Sequence, residues 1–235
     1  GVTALATVGG AAKSNDEALQ DAGSRLLGRW MTVDAGPVLL DLAKTAPGEK
    51  YQVRALRGYL RIARQFTKSE PEKVEMCRKA LEVARQSAER KLVLEILQRI
   101  ANLESLRLVV QVNEESPDLR DEATKAVVAI AQKIGEQQDK ARELLSKAEF
   151  SKVKLEILKA EYGAEGNTKD VTDALKKQAG DSQLVLLTSP NYNEAFGGDP
   201  APGEAKKLKI QYRLDGKEGE ATFAESALIV LPAPK

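Results

Sequence analysis

Histidine is absent from the 235-residue chain, and cysteine occurs once, at Cys77. Without imidazole the chain cannot form a Ser-His-Asp or Cys-His catalytic arrangement, nor a histidine-ligated zinc or iron site. A single cysteine also excludes an intrachain disulfide and a cysteine-based metal cluster. Cys77 itself lies on an apolar helical stripe, so we expect a small buried hydrophobe rather than a reactive thiol. The composition therefore predicts a non-catalytic protein with no cofactor and no metal.

An excess of charge of one sign is also lacking, since 36 Lys and Arg stand against 35 Asp and Glu. A formal net charge of +1 does not favour a nucleic-acid partner, because a polyanion would meet nearly equal attraction and repulsion. No apolar run approaches the roughly 18 to 20 residues needed to cross a bilayer, which predicts no membrane insertion. The chain opens on Gly1 and an apolar stretch to Val8, which indicates a fragment of a larger multidomain protein.

The first 150 residues show a recurring pair of helical segments. Alanine-rich first segments end near residues 30, 63, 101 and 131, and second segments follow at 37–45, 72–85, 103–113 and 139–149. Pro37, Pro71 and Pro117 suit first helical turns, Ser116 is placed to cap the next helix, and the segment 69–72 fits a capping box. A two-helix unit cannot bury its apolar faces alone, so such units stack.

This pattern resembles the HEAT-repeat family over residues 18–149, with an alanine-rich first helix, a short turn and a second helix. The resemblance implies an α-α superhelix, a HEAT/ARM-like solenoid, in a domain spanning residues 1–150. It further implies a curved surface that binds another macromolecule, without fixed functional residues to carry over. The fold class that we expect is α+β in two domains.

From residue 151 the pattern changes to period two, which predicts a second domain, 151–235, with short strands. The predicted strands are Val153 to Ala160, Gln183 to Leu187, Leu208 to Leu214, Gly219 to Phe223 and Leu228 to Leu231. Asp215-Gly216 favours a hairpin, and Asp170 is placed to cap a helix through Ala179. The turn-rich segment 189–206 is predicted to be irregular. These elements suggest a small antiparallel β sandwich or barrel.

Four elements of this half occur in a recognisable order: Ala160-Glu-Tyr-Gly163, Asp170-Val-Thr172, Gly198-Asp-Pro200 and Leu208-Lys-Ile-Gln-Tyr212. They resemble the uncharacterised C-terminal domain of the DnaJ subfamily C member 11 proteins. They are also similar to a β module near the C-terminus of bacterial extracytoplasmic multidomain proteins, notably from planctomycete-like lineages. The resemblance implies an accessory module without assigned catalytic residues, and a periplasmic or extracellular location.

A row of arginines on one predicted helix is the first candidate site. Its members are Arg54, Arg57, Arg61 and Arg64, whose spacing of 3, 4 and 3 places four guanidinium groups on one ridge. Such a ridge suits an acidic segment of a protein partner, because arginine presents a rigid fork of donors to carboxylates. Alternatively, acids such as Asp41, Glu72 and Glu75 pair with the arginines in a ladder between repeats.

The second candidate site is a loop in which aromatic side chains alternate with amide and acidic groups. Its residues are Tyr192, Asn193, Phe196 and Asp199. This mixture is typical of carbohydrate sites, where an aromatic face packs on the sugar and polar groups bind hydroxyls. Alternatively, Tyr192 and Phe196 fold back over the edge of a β core that has few other aromatics.

Two functions follow from these candidates. The first is a non-catalytic protein–protein interaction scaffold with a protein partner, and the alternative is a carbohydrate-binding accessory region of a secreted enzyme. An enzyme that uses carboxylates alone is disfavoured, because no pair of carboxylates is placed by a recognisable motif.

Overall fold

The computed structural model describes residues 2–135 and 137–232. A helical N-terminal region is followed by an antiparallel sheet. Contacts between backbones divide the chain into two compact units, Gly1–Ile100 and Ala101–Lys235. Within the described residues, no helix combines the length and the apolarity that a bilayer crossing requires.

The first unit consists of helices that pack in consecutive pairs. They are α1 (Val2–Ala12), α2 (Glu17–Gly28), α3 (Gly36–Thr45), α4 (Glu49–Gln65), α5 (Glu70–Val83) and α6 (Ser87–Leu97). α1 packs on α2, α3 on α4, and α5 on α6. The sequence predicted that α2, α4 and α6 open the repeat units, but each of them is the second helix of a packed pair. α4 also contacts α2 and α6, so these three helices lie side by side with α4 in the middle.

The helix starts follow the sequence signals. Asp16 accepts a hydrogen bond from the backbone N–H of Leu19 at 3.0 Å and caps α2. Ser69 accepts one from Glu72 at 3.4 Å, which confirms the predicted cap of α5. Pro71 lies in the first turn of α5, where a missing N–H costs no intrahelical bond.

The second unit begins with three helices, α7 (Leu103–Glu115), α8 (Arg120–Ala131) and α9 (Gln138–Leu145). α7 packs on both α8 and α9. Asn102 caps α7 by accepting a 2.9 Å hydrogen bond from the backbone of Ser105. Ser116 stands at the start of the following 3-10 turn, but its side chain makes no capping hydrogen bond, so that prediction is wrong. The turn Pro117–Leu119 leads into α8 instead.

The strands and short helices of the second unit follow α9. They are β1 (Leu155–Ala164), β2 (Asn167–Asp170), α10 (Thr172–Gln178), β3 (Leu184–Val185), α11 (Tyr192–Ala195), β4 (Lys207–Leu214), β5 (Lys217–Ala224) and β6 (Ile229–Val230). The main sheet is antiparallel in the order β2-β1-β4-β5, and β3 pairs with β6. Within the described residues this sheet is not a closed barrel, since β2 and β5 are its edges.

The predicted hairpin at Asp215-Gly216 is confirmed. Leu214 pairs with Lys217, and the two turn residues have φ values of 49° and 82°, as a type I′ turn requires. The prediction that Asp170 caps the following helix is wrong, because the N-cap of α10 is Val171, which makes no side-chain capping bond. The side chain of Asp170 instead accepts a 2.8 Å hydrogen bond from the backbone of Thr172, two residues further on.

One face of the sheet carries the core of the strand region. On β4, Leu208, Ile210 and Tyr212 are buried and alternate with exposed residues. On β1 the alternation shifts at an irregularity between Ile157 and Lys159, which allows both Ile157 and Ala160 to face the core. Side chains of α10 and α11 complete this core.

Hydrogen bonds join the three helices α7, α8 and α9 to the part of the second unit that follows them. The side chain of Gln138 in α9 accepts from the backbone of Leu228, next to β6, at 2.9 Å. The side chain of Asn113 in α7 donates at 2.6 Å to the carbonyl of Glu149, in the segment that leads from α9 to β1. The division into compact units therefore lies some 50 residues before the change of pattern at residue 150. That residues 1–150 and 151–235 each fold as a separate domain stays a prediction.

Candidate functional site

A groove of about 670 Å³ lies between α2 and α4 in the first unit. Its charged lining residues are Arg25, Arg29, Lys50, Arg54, Arg57 and Arg61. Val53, Gly28 and Gly58 complete the lining, so among the described residues no carboxylate faces the space. We call it the basic groove. Three of the four arginines predicted from the sequence line it, and Arg64 lies one turn further along α4.

Helical spacing and close packing explain how the basic groove forms. The arginines of α4 recur every three or four residues, so they share one helix face. Arg25 lies in the last turn of α2, and Arg29 follows four residues later as its C-cap residue. Between the two helices, a Cβ atom at Gly58 would stand 3.0 Å from the Cα of Gly28. Gly28 and Gly58 thus allow α2 and α4 to approach closely, and both line the groove.

Arg54 and Arg61 are held by hydrogen bonds to α2 and the residues that follow it. Arg54 donates from Nη1 to the Asp21 carboxylate at 2.9 Å and to the Ser24 hydroxyl at 2.6 Å. Arg61 donates from Nε to the carbonyl of Gly28 at 3.1 Å and from Nη2 to the carbonyl of Trp30. Both guanidinium groups are therefore oriented before any ligand arrives.

Arg57 pairs with a carboxylate that is almost completely buried. Its Nε and Nη2 lie 3.0 Å and 2.9 Å from Oε1 of Glu89, whose side chain is 1% exposed, whereas the Arg57 side chain is 53% exposed. Within the described chain, Arg29 and Arg64 are exposed and have no carboxylate partner. The arginine row thus contains both anchored and unpaired members.

The predicted ladder with Asp41, Glu72 and Glu75 is not what the structure has. Asp41 pairs with Lys13 at 2.6 Å, and Glu75 pairs with neighbours on its own helix. Charges are nevertheless shared between neighbouring helices, because Arg54 of α4 reaches Asp21 on α2 and Arg57 reaches Glu89 on α6. Sequence spacing indicates the ridge of arginines, but the acids that meet it depend on how α2, α4 and α6 pack.

The balance of charge at the basic groove is positive. Asp21 contacts three of the cations, namely Arg25 at 2.8 Å, Lys50 at 3.3 Å and Arg54 at 2.9 Å. The hydrogen bond from Arg54 is the main cause that lowers the pKa of Asp21 to about 2. Within the described residues, six cations line the groove and two carboxylates, Asp21 and Glu89, pair with them, which leaves a surplus of four positive charges.

The sequence-predicted ligand loop places its two aromatic rings in the protein core. Tyr192 is fully buried and Phe196 is 4% exposed. Their ring centroids lie 5.7 Å and 5.5 Å from that of Tyr162, and the Tyr192 hydroxyl donates to the carbonyl of Ala227 at 2.6 Å. Neither ring presents a face to a sugar, so the structure has the arrangement in which the loop folds back over the β core.

The polar members of that loop belong to a hydrogen-bonded cluster. The Tyr162 hydroxyl lies 2.8 Å from Oδ1 of Asn193 and donates to Glu225 at 2.9 Å. The buried amine of Lys206 lies 3.3 Å from Asp199 and 3.4 Å from Glu225. Every one of these polar groups has a protein partner, which indicates that the cluster orders the loop.

Several residues of the basic groove escaped prediction. Arg25 and Arg29 carry a signal, an i, i+4 spacing at the C-terminal end of α2, but nothing in the sequence places α2 opposite the ridge of α4. Lys50 stands in the first turn of α4 without any such pattern.

Cys77 is fully buried, and burial raises the pKa of its thiol to about 12. Among the described residues, no group of three or more cysteine or carboxylate side chains is suited to hold a metal ion.

Comparison with known proteins agrees with one of the resemblances drawn from the sequence. No curated protein and no solved structure matches the chain. A protein family, the C-terminal region of DnaJ-like protein C11, matches residues 110–232. The match covers more than half of the chain and includes the C-terminal end of α7, all of α8 and α9, and the strands, whereas the basic groove lies outside it. The chain therefore belongs to the DnaJ-like protein C11, C-terminal family.

Proposed function

We propose that this chain is a non-catalytic interaction scaffold whose first unit holds an acidic segment of a protein partner in the basic groove. The observation that carries the proposal is the lining itself, in which six cationic side chains surround one space and no described carboxylate faces it. Guanidinium groups form paired, charge-assisted hydrogen bonds with carboxylates, and several of them on two helices suit a segment with more than one acid.

Accessibility and order both support this role. The side chains of Arg25, Lys50 and Arg57 are 65%, 60% and 53% exposed, so a ligand can reach them. Arg54 and Arg61 are fixed by hydrogen bonds to α2 and its C-terminal end. Because these side chains are already ordered, the entropic cost of binding is lower. Donors that are fixed in place beside others that are exposed are suited to recognising a flexible acidic chain.

The helix pairs support a HEAT-like superhelix as the architecture of this scaffold. α1 with α2, α3 with α4 and α5 with α6 form successive pairs, and α2, α4 and α6 lie side by side. In such an arrangement one layer of helices forms a continuous surface, and the basic groove lies on that layer. A binding role needs no catalytic group, and it therefore agrees with a chain that has no histidine.

A selection experiment tests the proposal without a known partner. A displayed library of random peptides is panned on the wild-type chain and on Arg25→Glu/Arg29→Glu, which reverses two exposed charges of the basic groove. Lys44→Glu/Lys68→Glu is the matched control, because it makes the same change in net charge at exposed positions outside the groove. Circular dichroism verifies that all three proteins are folded.

We expect the wild type and the control to enrich peptides with several carboxylates, and the groove variant to lose them. Enrichment of neutral or basic peptides, no enrichment at all, or acidic peptides that bind the groove variant as well as the wild type would each contradict the proposal.

A further inference from the structure

A second, smaller cavity lies on the other side of the arginine ridge, between α4 and α6. Its volume is about 220 Å³, and we call it the side pocket. Its lining residues are Arg57, Leu60, Arg61, Arg64, Leu92, Glu95 and Ile96. Leu60 and Ile96 are 2% and 4% exposed and Leu92 is half-buried, so the floor is aliphatic whereas the rim is charged.

Arg57 and Arg61 line both the basic groove and the side pocket. A ligand whose carboxylates reach these arginines from the basic groove therefore continues directly over an aliphatic hollow. A cavity of about 150 Å³ is enough to hold a benzene molecule, so the side pocket has room for one large aliphatic or aromatic side chain. Burying such a side chain adds affinity that charge alone does not supply.

We propose that the partner of the basic groove is an extended acidic segment that crosses α4 and inserts one large apolar side chain into the side pocket. This inference rests on the proposed function. Packed helices lie about 8 to 10 Å apart, and an extended chain advances about 3.3 Å per residue. The apolar residue consequently stands about three positions from the nearest of the carboxylates.

The lining of the two cavities favours a protein segment over a nucleic acid. Single-stranded nucleic acids bind mainly through bases stacked on aromatic side chains, together with phosphates in a basic channel. Neither cavity has an aromatic lining residue among the described residues, and Glu95 at the rim of the side pocket repels phosphate. An aliphatic floor beside guanidinium groups instead matches an amino-acid sequence that joins carboxylates to an apolar residue.

Designed peptides test this inference by fluorescence anisotropy. The probe carries three consecutive glutamates, two glycines and then a leucine, and the reference peptide has alanine in place of the leucine. A third peptide places the leucine directly beside the glutamates. The variant Leu92→Gln removes an aliphatic part of the side pocket at similar size and without a charge, and Leu19→Gln is the control at an exposed leucine of α2 outside both cavities.

We expect the spaced leucine peptide to bind the wild type and Leu19→Gln about tenfold more tightly than the alanine peptide does. In Leu92→Gln this advantage should shrink to less than about threefold, whereas the binding of the alanine peptide stays the same. Equal affinity of the spaced leucine and alanine peptides, or equal gain from the misplaced leucine, overturns the side pocket and leaves the proposed binding of acidic segments in the basic groove unaffected.

If none of the glutamate peptides binds the wild type, the proposed function fails together with this inference. A single-stranded oligothymidine is titrated in the same way, to test for nucleic-acid binding. Tighter binding of that oligonucleotide than of the spaced leucine peptide, lost in Arg25→Glu/Arg29→Glu, would overturn the protein segment in favour of a nucleic acid.

Discussion

Asp21 pairs with three of the six cations that line the basic groove. One carboxylate contacts Arg25, Lys50 and Arg54, and so it ties the start of α4 to α2. Like charges that surround a groove repel one another, and a shared counter-charge lowers this repulsion. The consequence is a carboxyl group that stays ionised in the folded protein far into the acid range.

The first prediction concerns the titration of this carboxyl group. In the wild type, Asp21 should titrate with a pKa of about 2 instead of 3.8, mainly because Arg54 donates a hydrogen bond to its charged form. In Arg54→Gln the pKa should rise part of the way to 3.8, since Lys50 and Arg25 still lower it. Carboxyl carbon chemical shifts followed by NMR measure both values, with Arg29→Gln as a control that leaves Asp21 unchanged.

The lowered pKa of Asp21 also determines the direction in which pH changes the stability of the fold. The pKa of Asp21 is lower in the folded chain than in the unfolded chain, so its ion pairs stabilise the fold above about pH 3.8. This contribution is lost as the pH falls from 3.8 towards 2. A wild-type titration midpoint near 3.8 would show that Arg54 does not bond Asp21 in solution.

Tyr192 carries the second prediction at residue scale. Tyr192→Ala should lower the free energy of unfolding by about 3 to 5 kcal/mol, because the ring is fully buried against Tyr162 and Phe196. Tyr192→Phe should cost only about 0.5 to 1.5 kcal/mol, the contribution of the hydrogen bond to the carbonyl of Ala227. Urea unfolding measures both. A Tyr192→Ala protein as stable as the wild type would mean that the ring is exposed after all.

At the scale of elements, the contact between α1 and α2 depends on a glycine. A Cβ atom at Gly23 would stand 2.5 Å from the backbone nitrogen of Ala12, and backbone cannot move aside as a flexible side chain can. Gly23→Ala should therefore lower the free energy of unfolding by about 1 to 3 kcal/mol.

Gly10→Ala is the matched substitution in the neighbouring helix. Gly10 lies in α1 with no atom within 4 Å of the Cβ position, so alanine should stabilise the helix by about 0.5 to 1 kcal/mol. Urea unfolding of the two variants should therefore show changes of opposite sign. The same sign for both would contradict the close packing of α1 and α2.

Several elements were predictable because local signals define them. Helices α2 to α9 each have a capping residue, a proline in the first turn or an apolar stripe, and the β4–β5 turn has its Asp-Gly pair. β2 was missed because its residues, 167–170, are all exposed polar side chains without alternation. It forms only because β1 offers an edge for pairing, which is a property of the tertiary structure.

The candidate site, too, could be predicted only where it depends on local sequence and not on tertiary structure. The spacing of Arg54, Arg57 and Arg61 predicts a shared face, since helical geometry follows from sequence distance alone. The groove needs α2 as a second wall, and the contact between α2 and α4 depends on two glycines that carry no functional pattern. The loop at Tyr192 was open to two interpretations because alternation of aromatic and polar residues suits a sugar site and a folded-back turn equally.

At the scale of the whole molecule, different parts of the chain carry the family match and the candidate site. The match with DnaJ-like protein C11 covers residues 110–232, and the basic groove is built from residues 25–61. The net charge of +1 hides the local surplus, because acids elsewhere balance the arginines of α2 and α4. Binding to the groove should accordingly weaken as salt is raised, since exposed charges are screened within about 10 Å at 0.1 M.

The central claim is that the basic groove binds acidic protein segments, and one affinity comparison tests it directly. The most enriched acidic peptide is titrated into the wild type, Arg25→Glu/Arg29→Glu and Lys44→Glu/Lys68→Glu by fluorescence anisotropy. We predict a loss of at least about tenfold in affinity for the groove variant, because charge-assisted hydrogen bonds contribute about 1.5 to 3 kcal/mol each, and no more than about twofold for the control. Equal losses in the two variants would show that net charge alone attracts the peptide and would contradict the claim.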